Sequence, residues 1–172
     1  MTCKRLPGEL DGGDVLVLSP EKVILGIRNS ASLQAAVALK GHLDQNGIGS
    51  IPLMHHDVHA DCCCAPLPPR KEQERPSLLV KGKGLTDADS TLKMVARDVH
   101  EIILCDGWDD PRTCPTNILW INPETAISTT SAKNTNKKLR KMGYKIVEVK
   151  YDEMLDYDGG IRCSVAPLER KK

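Results

Sequence analysis

Two rhythms of apolar positions run along this chain. Short continuous apolar runs, bounded by turn residues, read as buried strands; stretches with apolar positions three or four apart read as helices. Residues 15–18 and 23–26, separated by Ser19-Pro20-Glu21-Lys22, predict a hairpin of buried strands. Leu33, Ala36, Val37, Leu39 and Leu43 then give a mostly helical spacing, which predicts a helix over 31–46 closed by Asn46-Gly47, and 48–54 returns as a strand. After a charged, proline-rich loop at about 66–76, residues 77–80 predict a strand. An amphipathic helix follows over 87–100, with Leu92, Val95, Ala96 and Val99 as its apolar face, then a strand over 101–105 and an acidic, turn-rich loop to 115. Residues 117–122 and 125–128 predict a second hairpin around Pro123-Glu124. A basic helix over 131–142, stopped by Gly143, and a strand over 144–149 complete the pattern.

The order strand–strand–helix–strand therefore occurs at 15–54 and again at 117–149, with a less regular copy between. A repeat of this period predicts an α/β array of small modules within one domain spanning 1–172, not a single doubly wound sheet.

Composition narrows the function classes. Lys and Arg number 24 against 23 Asp and Glu, which gives no charge-based case for nucleic acid. Two Trp, three Tyr and no Phe leave a core of aliphatic side chains and argue against base-stacking platforms. No apolar run approaches the ~18 residues of a membrane span, and the first residues carry no apolar stretch of signal-peptide length. Seven cysteines without a secretion signal are expected to be free thiols, so a cytoplasmic location is expected.

Four stretches carry candidate chemistry: Asp11-Gly12-Gly13-Asp14, the dense run from His55 to Cys64 that contains His59-Ala60-Asp61, the loop ending at Asn117, and Gly159-Gly160-Ile161-Arg162-Cys163. Cys163 follows a glycine turn, on an apolar run read as a buried strand, beside the cation of Arg162. Nearby positive charge is expected to lower a thiol's pKa from about 8.5 toward neutrality and so to suit a nucleophile. Taken singly, each residue has an ordinary alternative. Cys163 reads as a buried structural thiol, Asp11 and Asp14 as turn residues beside glycine, and His59 as a loop histidine.

In this order the pieces resemble the guanidine-modifying superfamily, the pentein fold, which includes arginine deiminases, dimethylarginine dimethylaminohydrolases and amidinotransferases. Its patterns E/D-G-G-D, H-x-D and a C-terminal G-G-x-x-C all stand here, and the resemblance runs from Leu10 to Arg170. The resemblance implies a pentein-type array of ββαβ modules, about three of the usual five, and hydrolysis of a guanidino C–N bond of arginine or a methylated arginine to citrulline. Cys163 would attack the guanidinium carbon to form an S-alkylthiouronium. His59 would protonate the departing amine and then activate water, while Asp11, Asp14 and Asp61 would bind the planar cation. No metal or organic cofactor is implied.

Two departures qualify this reading. Asp11 stands where arginine deiminases carry the longer Glu. Gly26-Ile27-Arg28-Asn29-Ser30-Ala31 replaces a G-x-S-x-R-T in which the arginine binds the substrate's α-carboxylate, so Arg28, two residues earlier, is the candidate substitute. Room for three modules admits a truncated, non-catalytic or partner-dependent half-enzyme, with self-association or a partner completing the ring; an amidinotransferase is a further alternative. His55, His56, His59, Asp61 and Cys62 to Cys64 also admit a zinc or copper protein, although consecutive cysteines cannot all face one ion from a strand.

Overall fold

In the computed structural model each sequence repeat forms a sheet of its own. Residues 6–165 are described, apart from Asp156 and Asp158; residues 1–5, the end of the expected C-terminal strand at 166–168 and the basic tail at 169–172 lie outside the described residues. The first module is β1 (Val15–Ser19), β2 (Lys22–Ile27), α1 (Ser30–Gln45) and β3 (Gly49–Met54). The second is β4 (Cys64–Leu67), β5 (Ser77–Val80), α2 (Ala88–Val95) and β6 (Ile102–Leu104). The third is β7 (Leu119–Asn122), β8 (Thr125–Thr129), α3 (Lys133–Lys141) and β9 (Lys145–Val149), after which comes a one-turn helix α4 (Asp152–Leu155). In every module the first two strands pair antiparallel, through a short turn in the first and third and through the loop at 68–76 in the second, and the second and third strands pair parallel, which requires the helical crossover.

Local chemistry sets the helix ends. Asn29 caps α1 through a reciprocal pair with Ser32, accepting from the Ser32 amide at 2.9 Å while the Ser32 hydroxyl accepts from the Asn29 amide at 2.9 Å. Gly143, at φ 96°, takes the left-handed position just beyond α3, where a side chain would be strained.

The modules stack by sharing helices. Val95 of α2, with Val99 just beyond it, packs among Leu16, Ile24, Ile51 and Leu53 of the first sheet and Leu78 and Val80 of its own. Leu139 of α3 repeats this between Leu67 and Leu79 of the second sheet and Ala126 and Ile146 of the third. Each fully buried side chain of this kind contributes about 1.5–3 kcal/mol of hydrophobic stabilisation. On the far face of the first sheet, Val23, Leu25 and Ile27 pack against Ala36 of α1.

Four expectations change. The middle copy is as regular as its neighbours: its first strand, β4, begins at Cys64, inside the cysteine run, while Cys62 belongs to a 3-10 turn at Ala60–Cys62. The helix expected over 87–100 ends at Val95. On α1, Leu33 and Val37 are 46% and 63% exposed and do not join the face that packs on β2. Cys163 sits in a turn over 161–164, exposed to solvent, and not on a buried strand. Among the described residues no helix is long and apolar enough to cross a membrane.

Candidate active site

Two 3-10 turns, Gly12–Asp14 and Ala60–Cys62, pack face to face and bring the first acidic motif onto the second. Gly13 makes this approach possible. A Cβ there would lie 2.8 Å from His59 Cβ and 3.0 Å from Asp61 Oδ1, whereas Gly12 has open space. Close approach, not a left-handed backbone, is what the motif requires of glycine. With the turns in contact, His59 Nε2 lies 3.1 Å from Asp11 Oδ2, at the solvent edge. The Asp11 side chain reaches the histidine without the extra methylene of glutamate.

Asp61 is the buried acid of the site. Its Oδ2 is 3.1 Å from Arg162 Nη1 and 3.7 Å from Cys163 Sγ, and its Oδ1 is 3.7 Å from Cys62 Sγ. A ring nitrogen of His59, a carboxylate oxygen of Asp61 and Cys62 Sγ lie within 4.8 Å of one another. Burial raises the Asp61 pKa, more than the charges of Arg162 and His59 lower it.

Asn117 holds the turn that carries Cys163. Its Oδ1 accepts from the amides of Arg162 at 2.8 Å and Cys163 at 3.4 Å, and its Nδ2 donates to Cys163 Sγ at 3.1 Å. Gly160 is the second close-approach glycine: a Cβ there would fall 2.1 Å from Asn117 Oδ1. Thr116 Oγ1 ties the same loop to the Asp61 carbonyl at 3.2 Å.

The thiol's electrostatics reverse the expectation from sequence. Arg162 turns its guanidinium onto Asp61 and the Val15 carbonyl. The Cys163 pKa is raised well above the ordinary thiol range, first by a hydrogen bond with the Cys62 thiol, then by burial and by the Asp61 charge; Asn117 and a backbone amide only partly offset this. The raised pKa favours the protonated form of the Cys163 thiol.

Cys163, His59, Asp11 and Asp61 thus come together. Asp14 joins them from the buried side: a carboxylate oxygen lies within 4.8 Å of a His59 ring nitrogen and an Asp11 oxygen, while its Oδ1 accepts the Ala60 amide at 2.8 Å and lies 3.2 Å from His55 Nε2. Arg28 is exposed beyond the end of β2, and its side chain makes no hydrogen bond or ion pair among the described residues. The metal-ligand set suggested by the sequence narrows in the same way. His55 is tied to Asp14, His56 is exposed, and Cys63 donates to the Ala60 carbonyl at 3.3 Å, which leaves His59, Asp61 and Cys62 as the convergent trio. Asn117 carries more of the site than sequence reasoning assigned to it. Its signal is chemical, since an amide supplies both the acceptor for two N–H groups and the donor for a thiol sulfur.

The family profile "Arginine deiminase" matches residues 105–170. Across 97% of its length the chain is 28% identical to the uncharacterized protein YkgA of Bacillus subtilis (strain 168), of which it covers 54%. It is also 28% identical, over 95% of its length, to an arginine deiminase of Latilactobacillus sakei, of which it covers 48%. Among solved structures, the amidinotransferase SxtG from Microseira wollei superposes on 96% of the chain with a TM-score of 0.76 at 16% identity, with 47% of that protein covered. The chain spans about half the length of the curated relatives it matches. Repeated ββαβ modules and the structural likeness give the chain a partial pentein fold, and the three ordered motifs together with the sequence likenesses support a kinship with guanidine-modifying enzymes.

Proposed function

We propose that the chain carries the nucleophile and acid–base group of an amidino hydrolase, acting on the guanidino C–N bond of arginine or a methylated arginine and giving citrulline. The observation that carries this reading is the placement of Cys163 Sγ 3.7 Å from Asp61 Oδ2, a carboxylate that already takes a guanidinium, that of Arg162, at 3.1 Å. A substrate guanidinium replacing Arg162 there would present its carbon to the sulfur. Its positive charge would also oppose the raised pKa, so the thiol would give its proton to His59, directly or through water, when the cation arrives.

The thiolate then adds to the guanidinium carbon, and His59 protonates the departing ammonia or methylamine, leaving an S-alkylthiouronium on Cys163. His59, now neutral, takes a proton from water; the hydroxide adds to the same carbon, and the C–S bond breaks to release the ureido product and the thiolate. An amine in place of that water would make the same residues an amidinotransferase. Purified protein incubated with arginine and, separately, with dimethylarginine is expected to form citrulline, and Cys163→Ser none. Turnover that survives this substitution rules the reading out.

A second reading has its own observation. Leu33 and Val37 of α1 are exposed on the module that stands at one end of the stack, while α2 and α3 each fill the gap between two sheets. A half-enzyme whose ring is completed by further modules would cover that face. It would be inactive alone and active once those modules are added.

A further inference from the structure

Beneath the His59–Asp61 segment lies a histidine that the reaction above does not use. His55 ends the first module, held by its amide on the Ile27 carbonyl at 3.1 Å, and is 1% exposed. Its Nδ1 is 3.2 Å from the Asp57 carbonyl, and its Nε2 is 3.2 Å from Asp14 Oδ1, at ion-pair distance although the N–H is not aligned on that oxygen. The same Oδ1 accepts the amide of Ala60 at 2.8 Å. Ala60 is fully buried and is the residue between His59 and Asp61.

The floor under this chain of contacts admits no side chain. A Cβ on Gly26 would lie 2.7 Å from Asp14 Oδ1, 2.8 Å from Ala60 Cβ and 3.0 Å from His55 Nε2. An ionised carboxylate at this depth is costly unless partnered. Burial alone would raise the Asp14 pKa, but His55, the Ala60 amide and the charge of His59 together outweigh it and hold Asp14 below the usual carboxylate range.

We propose that His55 is a positioning residue: through Asp14 it fixes the Ala60 amide, and so the spacing at which His59 and Asp61 meet the substrate. Asp14 becomes the link in this chain. The proposal rests on the assignment of His59 and Asp61 to the reaction, but its central contact can be measured without turnover.

Two conservative variants separate positioning from bulk packing. In His55→Gln the side-chain amide can stand where Nε2 stands and donate to Asp14. In His55→Asn it falls short of Asp14 and serves only the Asp57 carbonyl. Amide hydrogen exchange followed by NMR should show the Ala60 amide of His55→Asn exchanging about 10–100-fold faster than wild type, the equivalent of losing a hydrogen bond to a charged group, with the Leu79 and Ala126 amides unchanged. His55→Gln should restore Ala60 to within about threefold of wild type. With substrate, kcat should follow Ala60 protection while KM holds, the mark of an interaction that matters in the transition state.

Equal acceleration of all three amides in His55→Asn, or an unchanged Ala60, overturns the proposal. If His55→Asn does not fold, His55→Gln decides alone: loss of Ala60 protection with the other two amides intact overturns it, and retained protection supports it. Loss of Ala60 protection in a protein that turns over no guanidine supports the hold of His55 on this segment and counts instead against hydrolysis by the chain alone.

Discussion

At the scale of single residues the site depends on which atoms cannot be added and which proton cannot easily leave. Gly12 and Gly13 are neighbours of identical type with opposite requirements. Alanine at Gly12 meets nothing within 4 Å, whereas alanine at Gly13 drives a Cβ to 2.8 Å from His59 Cβ. Gly12→Ala should therefore retain activity and stability, and Gly13→Ala should lose about 1–3 kcal/mol of stability, with the His59–Asp61 segment displaced. Urea unfolding and citrulline assays of the pair check this. The raised Cys163 pKa has a sign that can also be measured. A raised pKa keeps the thiol protonated at neutral pH, so alkylation by iodoacetamide should be slow at pH 7 and still rising with pH above about 9, the ordinary thiol range. Asp61→Asn removes a charge that holds the proton on and should shift the alkylation profile to lower pH. A profile unmoved by Asp61→Asn would show that the carboxylate does not govern the thiol.

At the scale of elements the site is made of connections and not of strands. Asp11 and Asp14 flank one 3-10 turn, His59 and Asp61 lie at another, Asn117 ends a loop and Cys163 sits in a turn. This explains what was legible in the sequence and what was not. The glycine pairs, the H-x-D and the module order could be read because they are local: turn chemistry, apolar runs and helical spacing are written within a few residues. Strand β4 was hard to place because only Cys64 of the cysteine run belongs to it and Pro66 interrupts its remaining residues. The ends of α2, and the outward face of Leu33 and Val37, depend on which neighbouring sheet a helix meets. The roles of Asp14, His55, Asn117 and Arg162 come from contacts 41 to 101 residues apart in sequence, beyond any local pattern. Asn117 gives a test at this scale. Asn117→Ala removes the acceptor for two amides of the Cys163 turn and the donor to the Cys163 sulfur. The expected result is a fall in kcat of about 10–100-fold, with the cores of the three modules and the far-ultraviolet spectrum unchanged. Full activity in this variant would mean that the turn holds Cys163 without the loop.

At the scale of the whole molecule, one interface occurs twice and is left half-made at the start of the stack. The first sheet receives α2 and the second receives α3, so each helix is buried between its own sheet and the preceding one. Helix α1 has its own sheet beneath it through Ala36, but Leu33 and Val37 face outward. At the other end, Ile121 of β7 and Val147 of β9 are exposed on the third sheet. These are the two halves of the contact the fold makes internally, and apolar side chains left in water at such a contact favour association. The half-enzyme reading then makes a specific prediction. Leu33→Asp combined with Val37→Asp should leave the unfolding free energy of the isolated chain within about 0.5 kcal/mol per site, because both side chains are already in water. The same pair should abolish association with any added modules, followed by light scattering, and any citrulline formation that depends on them. Full activity of a monomeric Leu33→Asp, Val37→Asp protein would show that the exposed face is not used, and that three modules complete the site unaided.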